Sequence, residues 1–308
     1  MDKLEKYNRY IELKWWENIN KRDIRNWVQN FQNEELAYDI LNQIIFYNSG
    51  QLDKYTECLL NELKAQVYLE NVKVYGLGQV NDSFLEERWK DYCSHTKILP
   101  AKCEKEVVSS ADTVIGKWRN VIGEEQLSDI INIVDAINKG MRRFILVDDF
   151  AGTGRQMEKV LSRKVKIETG KEIAIGKISE MYPEIEIKVG LYVIHEKGYN
   201  YLKEKFPKVH LMFIDYITED MNLISEKNEL FRDKTAEEAS QFKQELERIN
   251  EEIRRDKRSY EKLLIYDLNI PIVFEHGCPN NTMLLIFAKA KKWKQLFKLG
   301  GMGNENTV

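Results

Sequence analysis

Residues 143–154 read RFILVDDFAGTG. The apolar run Phe144–Val147 leads into two adjacent acids, Asp148 and Asp149, and then into a short Gly/Thr segment that ends at Gly154. An apolar run bounded by a turn predicts a buried strand, and a Gly-rich turn at the start of a helix can present backbone N–H groups to an anion. We therefore predict that a buried strand runs into a phosphate-holding turn here and forms a ligand site.

This stretch resembles the ribose 5-phosphate motif of the type I phosphoribosyltransferases, in which a buried strand, two acids and a small-residue T-G loop follow one another. The resemblance implies that Asp148 and Asp149 face the ribose hydroxyls and the metal-bound sugar diphosphate. It also implies that the loop residues bind the substrate, with the amides of 151–156 around the 5′-phosphate: Phe150, Ala151, Gly152, Thr153, Gly154, Arg155 and Gln156. Many active members close this loop with Thr or Ser, whereas Arg155 and Gln156 follow Gly154 here.

The residue types suit a sugar phosphate. Carboxylates accept hydrogen bonds from sugar hydroxyls, glycines let backbone amides approach phosphate oxygens, and the following helix adds the positive end of its dipole. Two alternatives stay open. The string at 149–154 also resembles the first motif of S-adenosylmethionine-dependent methyltransferases, although the acids are doubled and no N/D-P-P-aromatic motif follows. The segment is otherwise a structural strand-turn-helix whose acids pair with Arg155 or Lys159.

The composition bounds the class of protein. With 308 residues the chain can bury a full core, and 47 basic residues against 50 acidic ones give no overall field for nucleic acid. The four cysteines lack C-x-x-C spacing, which indicates free thiols rather than zinc or a disulfide frame: Cys58, Cys93, Cys103 and Cys278. No uninterrupted apolar run indicates a signal peptide or a membrane span, so we expect a cytoplasmic protein without membrane contact.

Strand and helix patterns alternate from about residue 72 to 216. Strands are predicted at 72–78, 143–148, 185–195 and 209–216, with helices between them. This alternation indicates βαβ units, so the predicted fold is α/β with a mostly parallel sheet of the type I phosphoribosyltransferase kind. In such sheets ligands bind at the carboxyl ends of the strands, where the two acids lie. We predict a helical N-terminal region over 1–70, the phosphoribosyltransferase-like domain over 71–298 and a flexible tail over 299–308.

Glycines follow the predicted strand at 72–75. In the resembled family the first core strand ends in a loop that binds pyrophosphate through backbone amides, and Gly76 and Gly78 stand where such a loop would form. An ordinary turn is the alternative interpretation. Lys117 and Arg119 are candidates for a basic side chain near pyrophosphate.

A long charged helix is predicted over 235–264, inserted before the C-terminal strand. Its apolar positions, which run from Ala239 to Leu263, follow 3-4 spacing. This stripe could pair with a second copy, bind a protein partner or pack on its own domain.

The C-terminal string IPIVFEHGCPNNTM at 270–283 predicts a strand, a turn and a helix that starts at Thr282. Together with VDDFAGTG it resembles phosphoribosyltransferase-like proteins found beside bacterial conflict systems, including retron and anti-phage operons. On this interpretation His276 is a catalytic proton donor, and Asn280 and Asn281 bind substrate. The alternative for His276 is a residue that caps the turn.

The resemblance implies an effector that binds phosphoribosyl diphosphate or ribose 5-phosphate with Mg²⁺, and that transfers or cleaves at the anomeric carbon of a nucleotide. The main alternative is a catalytically silent scaffold or sensor for ribose phosphates. Such a protein would dock a defence partner, with nucleic acid reached through a reverse transcriptase and its RNA–DNA product.

Overall fold

The computed structural model describes residues 3–75, 81–102, 109–167, 170–256, 268–291 and 293–298. The chain forms two compact units, one made of residues 1–51 and 217–308 and the other of residues 52–216. The limits of these units differ from the predicted domain boundaries at 70 and 298, which stay predictions. In particular, the N-terminal helices belong with the C-terminal strand rather than by themselves.

The secondary structure alternates along most of the chain. The helices are α1 (Lys3–Glu12), α2 (Lys21–Val28), α3 (Glu34–Gln43), α4 (Ser49–Tyr75), α5 (Asp82–Ser94), α6 (Ser110–Ile122), α7 (Ile133–Asn138), α8 (Arg155–Leu161), α9 (Ile178–Met181), α10 (Glu196–Lys205), α11 (Ala236–Asp256) and α12 (Leu284–Phe287). The strands are β1 (Ile45–Tyr47), β2 (Thr96–Pro100), β3 (Arg143–Ala151), β4 (Lys164–Lys166), β5 (Glu172–Ala174), β6 (Glu186–His195), β7 (His210–Ile217) and β8 (Ile272–Phe274).

A four-stranded sheet forms the centre of the unit 52–216. Its strand order is β2-β3-β6-β7, and β3 pairs in parallel with both β2 and β6. Nearly every residue of β3 and β6 is buried, which is typical of parallel strands covered on both faces. The predicted α/β class with a mostly parallel sheet is therefore confirmed.

Aromatic side chains form the core of the unit that joins both ends of the chain. Trp27 and Trp293 are buried, and both indole N–H groups donate to the carbonyl of Leu285, at 2.8 and 2.9 Å. Strands β1 and β8 pair in parallel in this unit, and their residues Phe46 and Val273 are part of the same core. The aromatic stripe of the N-terminal helices is thus core at Trp16 and Trp27, whereas Trp15 remains half exposed.

The long helix packs on its own unit. Its described part is α11, and the predicted continuation to 264 lies outside the described residues. Four apolar residues of its stripe are buried in the same aromatic core: Phe242, Leu246, Ile249 and Ile253. For these four residues the structure agrees with the alternative in which the stripe packs on its own domain, and self-association or partner binding through the helix stays a prediction.

Several predicted elements differ from the structure. Residues 72–75 are not a strand but the last turn of α4, which continues unbroken because no Gly or Pro interrupts it after Gly50. The first strand of the central sheet is instead β2, only five residues long. Where a helix was predicted over 171–181, strand β5 and the short helix α9 are found. The predicted C-terminal helix is limited to α12, four residues long.

None of the helices in the described ranges is long and apolar enough to span a bilayer.

Candidate ligand site

Strand β3 carries the two acids near its carboxyl end. The strand runs three residues further than predicted, so Asp148 and Asp149 lie within the strand and not in the loop that follows it. Both side chains are buried, with 2% and 4% of their surface exposed. Burying two carboxyl groups side by side costs folding free energy, since the charged form loses its hydration. Such a cost at a strand end is typical of a functional site.

Two donors from the protein hold one oxygen of Asp148. The hydroxyl of Ser110 donates to its Oδ1 at 2.8 Å, and the backbone N–H of Asp149 donates to the same oxygen at 3.0 Å. Burial raises the pKa of Asp148 well above its usual range, and the charge of Asp149 raises it further. The hydrogen bonds from Ser110 and from the N–H of Asp149 lower this pKa but do not outweigh the two larger effects. The raised pKa favours the protonated form of Asp148. A bound cation or hydroxyl donor would favour its ionised form instead.

The loop after β3 is closed by a glycine that no other residue replaces easily. Gly154 has a φ of +76° and comes directly before α8. The first N–H groups of an α-helix lack acceptors within the helix, which suits them to a phosphate. Thr153 and Gln156 are half-buried and Arg155 is exposed, so their side chains are within reach of a ligand from solvent.

Helix α10 supports this loop from behind through Gly198. A Cβ atom added at Gly198 would lie 2.5 Å from the carbonyl oxygen of Gly152 and 2.8 Å from that of Ala151. The helix and the loop are therefore in backbone contact. His195 is fully buried at the end of β6 and caps this helix, with its Nδ1 accepting from the N–H of Lys197 at 3.1 Å.

Side chains also link α8 to α10. The hydroxyl of Tyr201 donates to Glu158 at 2.5 Å, and Lys205 forms an ion pair with the same carboxylate. The guanidinium of Arg155 lies over the Tyr201 ring, 5.6 Å from its centroid. Glu158 rather than the Asp pair is thus the acid that faces these basic residues. The structural alternative, in which the two acids pair with Arg155 or Lys159, stays open for Lys159.

Two of the residues predicted to bind substrate have buried side chains. Phe150 and Ala151 are buried in strand β3, with 9% and 4% exposure. Their side chains belong to the core of the sheet. The predicted substrate contacts at these two positions are therefore limited to main-chain atoms.

The predicted C-terminal site residues lie in the other compact unit. His276 stands in the tight turn after β8, its ring stacked on Phe274 with the centroids 5.6 Å apart, and Phe274 stacks in turn on Tyr47. Asn280 is exposed and Asn281 is buried. The hydroxyl of the next residue, Thr282, donates to the carbonyl of Ile272 in β8 at 2.6 Å, and this bond ties the segment to the strand. Catalysis by His276 and substrate binding by the two Asn residues stay predictions.

The predicted pyrophosphate residues have two different outcomes. Gly76 and Gly78 lie outside the described residues. Lys117 and Arg119 are both on α6, where Lys117 forms an ion pair with Asp53 at 2.9 Å and Arg119 one with Glu124 at 2.9 Å. Each of these cations is thus already bound to a carboxylate.

A Mg²⁺ ion fits this site only together with a substrate. Within the described ranges no group of three or more His, Cys, Asp or Glu side chains is placed to hold a metal. Mg²⁺ is commonly bound by one or two carboxylates together with substrate phosphates, and Asp148 and Asp149 are the two carboxylates that could hold it in that way.

Two supporting residues were not identified from the sequence. Ser110 lies 38 positions before Asp148, and Gly198 is on a helix that follows a different strand. No motif in the chain marks either residue. Their roles follow from the packing of α6 and α10 against the sheet.

A family model, PRTase-CE, matches residues 24–299. The chain therefore belongs to the PRTase-CE family. This membership agrees with the phosphoribosyltransferase-like interpretation of the 143–154 motif, and the match includes both compact units from α2 onward. No curated protein matches the chain.

Among solved structures, the orotate phosphoribosyltransferase from Aeropyrum pernix is similar over 42% of this chain and 63% of its own length. The sequence identity is 11% and the TM-score is 0.25, and a similarity this low does not establish a shared structure.

Proposed function

We propose that this protein binds the ribose 5-phosphate part of a sugar phosphate, such as phosphoribosyl diphosphate, on residues 148–156. The observation that carries the proposal is the pair of buried, adjacent carboxyl groups directly before a loop that helix α10 supports through its backbone. Asp148 and Asp149 accept hydrogen bonds from the ribose hydroxyls. The N–H groups of the loop and of the first turn of α8 bind the 5′-phosphate.

Mg²⁺ would arrive with the diphosphate, with Asp148 and Asp149 as its protein ligands, and would neutralise charge on the phosphates. The chain's own contribution is to hold the ribose in one orientation. Burial and the charge of Asp149 raise the pKa of Asp148, and a bound cation or hydroxyl donor would lower it again. Transfer at the anomeric carbon of the bound sugar is part of the same proposal.

A second candidate is a ribose-phosphate sensor that binds without turnover. The observation that favours it is the pairing of Lys117 with Asp53 and of Arg119 with Glu124, which leaves neither cation available for pyrophosphate without breaking an ion pair. In the bacterial anti-phage setting that the sequence resemblance implies, such a sensor would act on a protein partner, and nucleic acid would be reached through that partner.

Thermal unfolding with different ligands tests the proposal. Phosphoribosyl diphosphate with Mg²⁺ should raise the melting temperature, since a ligand that binds only the folded state adds about 2.7 kcal/mol at 100 times its Kd. The matched variant is Asp148→Asn with Asp149→Asn, which should abolish the shift. A shift with S-adenosylmethionine alone would contradict the proposal and favour a methyltransferase. Analysis of released pyrophosphate under the same conditions separates an enzyme from a sensor.

A further inference from the structure

Ser110, on helix α6, contacts the acid pair from a separate element of the fold. Its hydroxyl donates to Oδ1 of Asp148 at 2.8 Å, and the N–H of Asp149 donates to the same atom at 3.0 Å. An ionised carboxylate has about four lone-pair positions and no donor of its own. Both measured bonds fall on one oxygen, so together they fix the rotation of the carboxyl group about its last bond.

The first turn of α6 holds Ser110 in place. The N–H of Ser109 donates to Asp112 Oδ2 at 3.0 Å, and Lys102 forms an ion pair with the other oxygen of the Asp112 carboxylate at 2.6 Å. Three apolar residues further along the helix are buried: Ala111, Val114 and Trp118. The hydroxyl is therefore carried on an anchored helix, while Ser110 itself is only half-buried.

We propose that Ser110 is a positioning residue for the sugar, which holds Oδ1 of Asp148 so that the other oxygen of this carboxyl group is directed to a ribose hydroxyl. This inference rests on the proposed function and extends it to a residue outside the 143–154 motif. It separates two parts of the site. The acids and Ser110 recognise the sugar, whereas the loop at 152–156 recognises the phosphate.

The test compares two ligands on the full chain. Ribose 5-phosphate uses both parts of the site, and inorganic phosphate uses the loop alone. Ser110→Ala should weaken ribose 5-phosphate binding by about tenfold in calorimetry, the size expected for losing one hydrogen bond to a charged group. Phosphate binding should stay unchanged. Ser110→Thr keeps the hydroxyl and should restore ribose 5-phosphate affinity, and Thr113→Ala, one turn further along α6, should bind both ligands like the wild type.

The outcomes distinguish this inference from the proposed function. If the wild type binds ribose 5-phosphate and Ser110→Ala binds it equally well, the positioning role is wrong and the proposed function stands. Equal weakening of both ligands would also overturn it, since that result indicates a general disturbance of the site. A wild type that binds neither ribose 5-phosphate nor phosphoribosyl diphosphate with Mg²⁺ would overturn the proposed function, and this inference with it.

Discussion

Replacing Gly198 by Ala tests whether the loop at 152–154 has to stay where α10 holds it. The added Cβ would lie 2.5 Å from the carbonyl oxygen of Gly152, 2.8 Å from that of Ala151 and 3.1 Å from the nitrogen of Gly154. A C···O contact normally begins at about 3.3 Å, so the loop or the helix has to move by about 0.8 Å. All three neighbouring atoms belong to the backbone, so no side-chain rotation can relieve the contact.

The expected effect follows from two opposing terms. Overpacking against backbone atoms, which cannot rotate away, costs about 2–3 kcal/mol, and Ala in place of Gly in a helix returns about 1 kcal/mol. The net loss of about 1–2 kcal/mol should lower the melting temperature by roughly 2–8 °C. Ligand affinity should fall as well, because the amides proposed to bind phosphate move with the loop.

Gly116 offers a matched control. It lies within α6, and an added Cβ there meets nothing within 4 Å. Gly116→Ala should therefore stabilise the protein by up to about 1 kcal/mol and leave ligand binding unchanged. Differential scanning fluorimetry and calorimetry on both variants decide the matter. A Gly198→Ala protein with wild-type stability would refute the packing argument, and a destabilised one with full affinity would refute the role of the loop.

Three further predictions concern charge, ligand and core. Exchange of Asp148 and Asp149 for Asn should stabilise the protein at neutral pH: the pKa of Asp148 is raised on folding, so its contribution is complete below about pH 4 and is lost as the pH rises through the folded-state pKa. Urea unfolding at several pH values should show the advantage of the double variant vanish toward pH 4, and an unfolded variant would show instead that the acids hold the structure. Inorganic phosphate alone should protect the N–H groups of residues 152–156 from hydrogen exchange, whereas protection that requires the sugar would contradict a phosphate loop. Leu246→Ala should cost about 2–5 kcal/mol because Leu246 is fully buried in α11, with Glu247→Ala as an exposed control. Light scattering should show the same mass for both variants, and dissociation of an oligomer by Leu246→Ala would support self-association through the stripe instead.

Local sequence patterns were sufficient for the strands and the loop that carry the candidate site. The apolar runs of β3 and β6 are nearly continuous because these strands are buried in a sheet, and the doubled acid with a Gly-rich turn marks the carboxyl end of β3. These features depend on neighbours within about ten residues, so the sequence alone reports them. The same holds for α10, whose periodicity extends over its whole length.

Only the tertiary structure decided which distant residues complete the site and the cores. The contact of Ser110 with Asp148, and that of Gly198 with the loop, depend on helices that pack on the sheet after different strands. Strand β1 has three residues, too few for a periodic pattern, and the structure shows it only through its pairing with β8, the strand that the sequence predicted. The apolar stripe of α11 predicts that one face of the helix is buried, but it does not predict which residues cover that face. In the structure the aromatic core of the same unit covers it.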